Sequence, residues 1–169
     1  PGPAVVARDD PLVRAGMIAI ACASRSLTNA LVNYPTLLSP PQDPAGFAAE
    51  RDAVGYRTSL AFDGIDDSGP LRRWKRRELL RIAARDLLGV ADLPAVGREL
   101  AALGEACLGA ALAISEPTVP IAVIGMGKLG AHELNYSSDV DLILLYDPDS
   151  GIYAGGASTI GATTSRYAR

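Results

Sequence analysis

The chain has 169 residues, of which 49% are hydrophobic and 21% are charged. This composition is typical of a globular protein and excludes gross disorder. The formal net charge of −3 gives no overall attraction to nucleic acid or to an anionic membrane. The longest strongly apolar run, Ala15–Ala23, is about half as long as a membrane span requires. We therefore expect a soluble, cytoplasmic protein.

Neither end of the sequence resembles a natural terminus. The chain begins with Pro1-Gly2-Pro3 and has no initial methionine. It ends in a stretch, Gly151 to Arg169, that is rich in Gly, Ala, Ser and Thr. We therefore expect a fragment of a longer protein.

Two helices are predicted near the start. Asp10-Pro11 is a favourable opening, an N-cap acceptor followed by proline in the first turn. The apolar residues that follow are too dense for one exposed stripe, so we expect this helix to be buried on most sides. A second, short helix is predicted from Ser26 and must end near Tyr34, because Pro35 disfavours helical geometry in the residue before it.

The next segment, Ser39 to Pro70, contains the turn signals Asp63-Gly64 and Asp67-Ser68-Gly69-Pro70. We predict loops and turns here, with at most a helical turn or two around Ala45–Val54.

Leu71 to Leu88 is the clearest predicted helix, and Gly89 is a natural C-terminal cap. Its apolar face consists of Leu79, Ile82, Ala83 and Leu87. Its other face carries one acid, Glu78, and the bases Arg72, Arg73, Lys75, Arg76, Arg77, Arg81 and Arg85. Such a face is either solvated or turned toward an anion, a nucleotide phosphate or an acidic protein partner. Because Trp74 is the only interleaved aromatic residue, nucleic-acid binding is the least favoured use.

Asp92 and Pro94 open a further helix. Its apolar stripe recurs at steps of four and three residues: Val96, Leu100, Leu103, Cys107, Ala111 and Ile114. A catalytic role for Cys107 is therefore not expected, and with Cys22 it is predicted to be a buried, reduced thiol. Pro117 and Pro120 then break the helix and lead the chain into a strand.

The stretch from Pro120 to Asp147 combines two β-like runs with a glycine-rich connection. The runs are Ile121–Ile124 and Leu142–Tyr146, and the connection begins with Gly125-Met126-Gly127-Lys128-Leu129-Gly130. These glycines match the dinucleotide-binding fingerprint GxGxxG. Only eight residues, 131–138, separate them from Asp139, too few for the crossover of at least about a dozen that parallel strands require. The Walker loop is excluded because Lys128 is not followed by Ser or Thr.

The spacing instead permits a compact phosphate and metal site. Glycines allow close backbone approach, and successive N–H groups in such a turn bind anions. Lys128 adds a positive charge for a phosphate. Asp139 and Asp141 are two apart, so on a strand both side chains leave the same face, where carboxylates bind Mg²⁺. Ser137 and Ser138 either hydrogen-bond a phosphate oxygen or close a turn.

His132 is the only histidine. With no second histidine to act with, it is expected to be a surface residue, or one that supports site residues without contacting the ligand, rather than a catalytic base. Glu133 either orients a group of the site or belongs to a short helical turn.

The spacing of Gly127-Lys128 and Asp139-Val140-Asp141 resembles the signature of the DNA polymerase beta-type nucleotidyltransferase superfamily. More closely, GMGKLGAHELNYSSDVDLILLYD resembles that of glutamine-synthetase adenylyltransferases. The resemblance extends upstream to Ala23–Pro35 and Leu71–Pro94 and so covers most of the chain. It implies an α+β fold, a mostly helical lead-in over residues 1–116 and a truncated nucleotidyltransferase-type small β-sheet over residues 117–169.

The family implies a bifunctional enzyme with two similar halves. One half transfers AMP from ATP to a tyrosine of glutamine synthetase, and the other removes it by phosphorolysis, giving ADP. The segment Glu133–Asp139 is more similar to the deadenylylating half, because the other half tends to carry Gly at the position of Asn135. Glutamine synthetase and a nitrogen-signalling regulatory protein are the implied partners, with no nucleic acid and no membrane.

The resemblance also implies roles for individual residues. Asp139 and Asp141 would be catalytic and hold Mg²⁺. The residues that would contact the phosphates of ATP or ADP are Gly125, Gly127, Lys128 and Ser138. Ala131 departs from the family pattern, which commonly has glycine there. The family's third metal carboxylate lies on a later strand that this chain does not reach, so the fragment alone is not expected to turn over.

Two other functions are left open by the sequence. In the first, the chain is a forward nucleotidyltransferase, either the adenylylating half or another enzyme that acts on protein, RNA or a small molecule. In a different class, it is a non-catalytic module whose basic helix docks an acidic partner.

Overall fold

The computed structural model of the protein describes residues 11–33 and 47–146. Within these residues, five helices precede the sheet: α1 Pro11–Ala23, α2 Arg25–Asn33, α3 Ala53–Phe62, α4 Ser68–Leu87 and α5 Leu93–Ile114. The remaining elements are strand β1 Ile121–Gly125, the single turn α6 Gly127–Gly130 and strand β2 Leu142–Tyr146. This order confirms the predicted α+β class. Within the described ranges, no helix is both long and apolar enough to cross a membrane.

The two strands pair antiparallel, from Gly125 opposite Leu142 to Ile121 opposite Tyr146. An antiparallel pair needs no helical crossover, so the glycine-rich segment between the strands stays compact. This pairing confirms that the GxGxxG match is not a dinucleotide-binding fold.

Local capping signals place the end of α4 and the start of α5 close to their predicted positions, whereas α4 begins at Ser68, inside the predicted turn Asp67–Pro70. Asp92 caps α5, its side chain accepting from the Ala95 N–H at 2.8 Å. At the end of α4, Gly89 has a φ of 67°. The N–H groups of Gly89 and Val90 donate to the carbonyls of Asp86 and Arg85, both at 2.9 Å. This pair of hydrogen bonds forms a Schellman motif, which satisfies the last carbonyls of α4.

The stripe of α5 is buried along only part of its length. Val96, Leu100 and Leu103 are buried, whereas Ala111 is exposed. Cys107 is half-buried and packs at the edge of the core.

Helix α3 contradicts the prediction of loops and turns between Ser39 and Pro70. It begins at Ala53, where Asp52 accepts from the Gly55 N–H at 2.8 Å. Tyr56 and Leu60 are buried in the core with α4 and α5. Tertiary burial therefore decides the helix where local propensity was weak. Of the range Ala45–Val54, where a helical turn or two was expected, residues 47–49 form a turn and a bend, and only Ala53 and Val54 are helical, as the start of α3.

Helix α1 is buried along one stripe and not on most sides as predicted. Gly16 faces α4 so closely that an added Cβ would lie 2.9 Å from the Cβ of Ala84. Val13 and Ile20 are fully buried, whereas Ile18 is 60% exposed. Cys22 is likewise exposed, which corrects the prediction of two buried thiols, although both cysteines are free as expected. The predicted boundaries at Asp10, Tyr34 and Pro35 lie outside the described residues.

Part of the basic face of α4 is buried against Glu99 of α5, a partner that the sequence analysis did not predict. Arg81 and Arg85 are both buried and both donate to the Glu99 carboxylate. Glu78 accepts from Arg51 and, at 3.0 Å, from Arg81 Nε. We call Arg51, Glu78, Arg81, Arg85 and Glu99 the buried charge cluster. The expectation that Arg81 and Arg85 lie on a solvated or anion-facing surface is wrong.

The buried charge cluster also fixes the turn before α3. Arg81 donates to the carbonyl of Ala49 at 2.8 Å, and Arg85 donates to that of Ala48 at 3.1 Å. Tyr56 accepts from Arg81 and donates to Glu99 at 3.2 Å. Burial raises the pKa of Tyr56, so its hydroxyl keeps the proton that it donates. The cluster thus joins α3, α4, α5 and residues 48–51 in one network.

Replacing Glu99 with Gln is expected to lower the free energy of unfolding by about 3 kcal/mol, because Arg81 and Arg85 would lose their buried counter-charge. Urea unfolding measures the effect. Glu105→Gln on the same helix is the control, since its carboxylate is 40% exposed and exposed ion pairs contribute about 1 kcal/mol or less. Equal effects of the two substitutions would contradict a special role for the cluster.

The thiols should differ in reactivity. Burial raises the pKa of Cys107 to about 11, so only on the order of one thiol in a thousand is ionised at pH 8. Iodoacetamide at pH 8 should therefore modify the exposed Cys22 much faster than Cys107. Modification of Cys107 should accelerate as the pH rises toward 11. Peptide mass spectrometry over time measures both rates, and fast labelling of Cys107 at neutral pH would refute its burial.

Candidate functional site

The glycine-rich corner follows directly from the end of β1. Met126 is extended, and its N–H donates to the carbonyl of Asp141 at 2.8 Å. This bond continues the pairing of the two strands beyond Gly125 and Leu142. Gly127 then has a φ of 54°, a region that residues with a Cβ enter at a cost in energy. The corner therefore requires glycine at this position.

Gly130 allows the turn α6 to fold back onto β1. A Cβ added to Gly130 would lie 2.5 Å from the carbonyl oxygen of Gly125. The buried side chain of Leu129 lies beneath Gly125, 3.0 Å from the position that a Cβ of residue 125 would occupy. Both glycines are thus needed because backbone and side chain approach too closely for a larger residue.

Helix α5 supports the corner through two more glycines. A Cβ on Gly97 would lie 3.6 Å from both the Cα of Glu133 and the carbonyl oxygen of Leu134. A Cβ on Gly104 would meet Leu129 at 3.2 Å and Leu134 at 3.7 Å. The segment after the corner therefore lies directly on the surface of α5.

The carboxylate of Asp141 lies beside the corner. Its Oδ2 atom is 3.3 Å from the position that a Cβ of Gly127 would occupy. Asp139 and Asp141 are both exposed. They precede β2, which begins at Leu142, so the expectation that both acids lie on the strand is wrong. The structure thus brings Asp141 to the glycines through the bond to Met126, and both acids are open to solvent.

The predicted phosphate-binding residues lie on the same segment. Lys128 is exposed, and its carbonyl accepts from the Glu133 N–H at 2.8 Å. The Ser138 hydroxyl accepts from the Asn135 N–H at 3.2 Å, so it closes a turn. That bond does not use the hydroxyl proton, which can still be donated to a phosphate oxygen.

The backbone of the corner offers hydrogen-bond donors. Within residues 11–33 and 47–146, the N–H groups of Gly127, Lys128 and Leu129 donate to no backbone carbonyl. Gly127 is in the left-handed region and opens a helical turn, the arrangement that forms an anion-binding nest.

The donor set fits a hard divalent cation with a phosphate. Two exposed carboxylates supply the oxygen ligands that such a cation prefers, and the backbone of Gly127, which the exposed Lys128 follows in the sequence, lies beside the carboxylate of Asp141. Among the described residues, no group of three or more His, Cys, Asp or Glu side chains is placed to hold a metal. Substrate phosphate and water would complete the coordination of a cation held by two carboxylates.

Tyr136 connects this segment to helix α4 through a contact that the sequence did not reveal. Its hydroxyl donates to the Asp86 carboxylate of α4 at 3.0 Å. Partial burial and Asp86 raise the pKa of Tyr136, so the donor stays protonated at neutral pH. The partners are 50 positions apart, and no local signal joins them. A second contact that was not predicted is the hydrogen bond that the Ser137 N–H donates to the Asn135 side chain at 3.1 Å. This bond follows an Asx-turn pattern that the sequence does contain.

His132 is the exposed residue that was expected. Its ring is 58% exposed, and Nδ1 lies 3.6 Å from the Glu105 carboxylate. Its φ of 57° is unusual for a residue other than glycine.

Replacing Gly130 with Ala should destabilise the protein by about 2 kcal/mol, because the new methyl group would overlap the Gly125 carbonyl. Gly109→Ala is the matched control, since nothing lies within 4 Å of its added Cβ in helix α5. That substitution should stabilise by about 0.5–1 kcal/mol. Urea unfolding compares the two, and effects of the same sign would contradict the close approach at Gly130.

Comparison with known proteins places these features in a family. Residues 15–167 match the family described as "Glutamate-ammonia ligase adenylyltransferase". Three bacterial relatives are each named "Bifunctional glutamine synthetase adenylyltransferase/adenylyl-removing enzyme". The protein of Nitrosococcus oceani is 38% identical over 160 residues, which cover 82% of this chain and 16% of the relative.

The other two relatives come from Streptomyces avermitilis and Nocardia farcinica. The protein of Streptomyces avermitilis is 48% identical over 98 residues, 54% of this chain and 10% of the relative. That of Nocardia farcinica is 32% identical over 163 residues, 86% of this chain and 16% of the relative. This chain thus matches no more than 16% of the length of any of the three. The family match covers most of the sequence, and the chain belongs to the glutamate–ammonia ligase adenylyltransferase family.

Proposed function

We propose that this chain is part of a nucleotidyltransferase that acts on glutamine synthetase and that residues 125–141 carry its catalytic groups. The supporting observation is the position of the Asp141 carboxylate, next to the left-handed Gly127 and beside unsatisfied N–H groups. A phosphate bound at the corner would therefore lie close to an acidic metal ligand. The boundary of the catalytic core is proposed at residue 117, between α5 and β1.

Each predicted site residue has a proposed role. Asp139 and Asp141 bind Mg²⁺ through their exposed carboxylates. Gly125 and Gly127 let the nucleotide approach the backbone, and the N–H groups of the corner bind its phosphate oxygens. The ammonium group of Lys128 and the hydroxyl proton of Ser138 supply two further contacts to the phosphates. ATP or ADP and inorganic phosphate are the small substrates and products.

Catalysis by this arrangement depends on positioning and on charge. Mg²⁺, when bound, neutralises the charge that develops on the phosphate oxygens. The residues of the chain hold the α-phosphorus in line between the attacking and leaving oxygens. In one direction the tyrosine hydroxyl of glutamine synthetase attacks ATP and pyrophosphate leaves. In the other, inorganic phosphate attacks the adenylyl-tyrosine, ADP forms and the tyrosine oxygen leaves.

We infer that the chain carries the deadenylylating half. The inference is supported by Asn135, which stands where the adenylylating half tends to have glycine. Its side chain accepts from the Ser137 N–H at 3.1 Å, a bond that glycine cannot form. The turn that leads to Asp139 therefore has a structure specific to the residue found here. A nitrogen-signalling regulatory protein is the proposed partner that sets the balance of the two activities.

The test is an assay of the full-length protein that carries this sequence, with adenylylated glutamine synthetase, phosphate and Mg²⁺. Replacing Asp139 and Asp141 together with Asn should reduce ADP release by about a thousandfold or more, because the metal ligands lose their charge. Asp66→Asn is the control, because it removes an exposed charge in the loop between α3 and α4. If both ADP release and label transfer from ATP to glutamine synthetase were unchanged in the double variant, the metal assignment would be refuted.

Two further outcomes separate the alternatives. Loss of label transfer from ATP to unmodified glutamine synthetase in the double variant, with ADP release unchanged, would favour the adenylylating half. Label on another acceptor would favour a different nucleotidyltransferase. A docking module is supported by the exposed part of the basic face, Arg72, Arg73, Lys75 and Arg76. Binding of an acidic partner without any nucleotide transfer would favour that function.

A further inference from the structure

A single hydrogen bond connects the segment that carries the acids to helix α4. Tyr136 lies on the turn before Asp139, and its hydroxyl donates to Asp86 Oδ2 at 3.0 Å. Apart from the exposed contact of His132 with Glu105, it is the only hydrogen bond or ion pair found between residues 126–141 and helices α1–α5 in the described part of the chain. The bond therefore sets where this turn lies relative to the helical layer.

Asp86 occupies a position where a helix disfavours an acid. It lies in the last turn of α4, at the negative end of the helix dipole. Its backbone is fixed there, because its carbonyl accepts from the Gly89 N–H in the Schellman motif. The adjacent Arg85 is held by Glu99 in the buried charge cluster. The backbone of Asp86 is thus held in place, and the hydroxyl of Tyr136 donates to its carboxylate.

The turn that carries Tyr136 is itself well ordered by hydrogen bonds. The Ser138 N–H donates to the carbonyl of Asn135 at 3.2 Å, and the Ser138 hydroxyl accepts from the Asn135 N–H at the same distance. The Ser137 N–H donates to the side chain of Asn135. Because residues 135–138 form one closed unit, a displacement of Tyr136 carries Ser138 and the following Asp139 with it.

The apolar contacts of the segment do not fix its direction in the same way. Leu134 packs against the surface at Gly97 and Gly104 of α5. Apolar packing is not directional, so this contact specifies the orientation of the segment less sharply than a hydrogen bond does. The hydrogen bond of Tyr136, two residues after Leu134, adds a directional restraint, since its strength falls as the geometry departs from linear.

We propose that Tyr136 is a positioning residue that, through its hydrogen bond to Asp86, holds the turn 135–138 so that Asp139 and Asp141 converge on the metal. This inference rests on the proposed function. It adds that the helical layer, through the last turn of α4, determines the geometry of the metal carboxylates.

The test removes one hydroxyl from each of two tyrosines in the full-length protein. Tyr136→Phe is the variant, and Tyr146→Phe is the matched control. Tyr146 is 37% exposed and Tyr136 is 42% exposed, and the Tyr146 hydroxyl makes no hydrogen bond to any residue that the structure describes. Hydrogen exchange of the amides of residues 135–141 reports the position of the turn without requiring activity.

For Tyr136→Phe we expect the amides of residues 135–141 to exchange about tenfold faster. This increase corresponds to the loss of one hydrogen bond to a charged group. The Mg²⁺ concentration for half-maximal ADP release should rise about tenfold, as when an outer contact of a metal ligand is removed. The melting temperature and the exchange of α5 should stay near those of the unmodified protein. Tyr146→Phe should change none of these quantities.

Asp86 provides a second arm. Asp86→Ala should reproduce Tyr136→Phe, and the double variant should be no worse than either single one, because both remove the same bond. Asp86→Asn keeps an oxygen acceptor and should restore most of the Mg²⁺ dependence. Additive effects, or no rescue by Asn, would overturn the inference.

The outcomes distinguish this inference from the proposed function. If the unmodified protein shows no Mg²⁺-dependent transfer, the proposed function fails, and so does the link to a metal. Faster exchange in Tyr136→Phe would then still support the anchoring of the turn, and unchanged exchange would overturn it. If exchange rises but the Mg²⁺ dependence does not move, Tyr136 stabilises the turn without positioning the acids, and the inference is wrong.

Discussion

The buried charge cluster is the constraint on which the rest of the structure depends. Removing Glu78 and Glu99 from water is costly, and the cost is offset only while each carboxylate keeps its arginine partners in good geometry. The arginines also hold the carbonyls of residues 48 and 49. The cluster therefore permits one arrangement of α3, α4 and α5. Because α5 supports the glycine corner through Gly97 and Gly104, the placement of the acids follows from the same arrangement.

Much of the helical layer is predictable, because its signals are local. The cap at Asp92 and the terminating Gly89 depend only on neighbouring residues, and both form as expected. The basic face of α4 shows what local patterns omit. Periodicity places Arg81 and Arg85 on one face, but it does not reveal that Glu99 of another helix meets them. Helix α3 was missed for the same reason, since contacts with distant residues bury its apolar side chains.

In the candidate site, too, the local contacts could be predicted and the contacts between distant residues could not. The turn between antiparallel strands and the approach of Asp141 to Gly127 follow from short spacing, and the sequence predicted both the compact corner and its acids. The pairing of Tyr136 with Asp86 joins positions 50 residues apart, and nothing near either residue indicates the other. The exposure of both acids agrees with their proposed role, because metal ligands must be reachable from solvent. Their roles themselves remain predictions.

The β1–β2 ribbon places apolar side chains in water. Ile143, Leu144, Leu145 and Tyr146 are all exposed to more than a third of their area. A two-stranded ribbon of this kind has marginal stability by itself, and a short apolar strand with open backbone groups attracts other strands. Among the described residues, this ribbon is therefore a place where a strand of another molecule can add, and a solubility-enhancing substitution is best placed there, away from the corner and its acids.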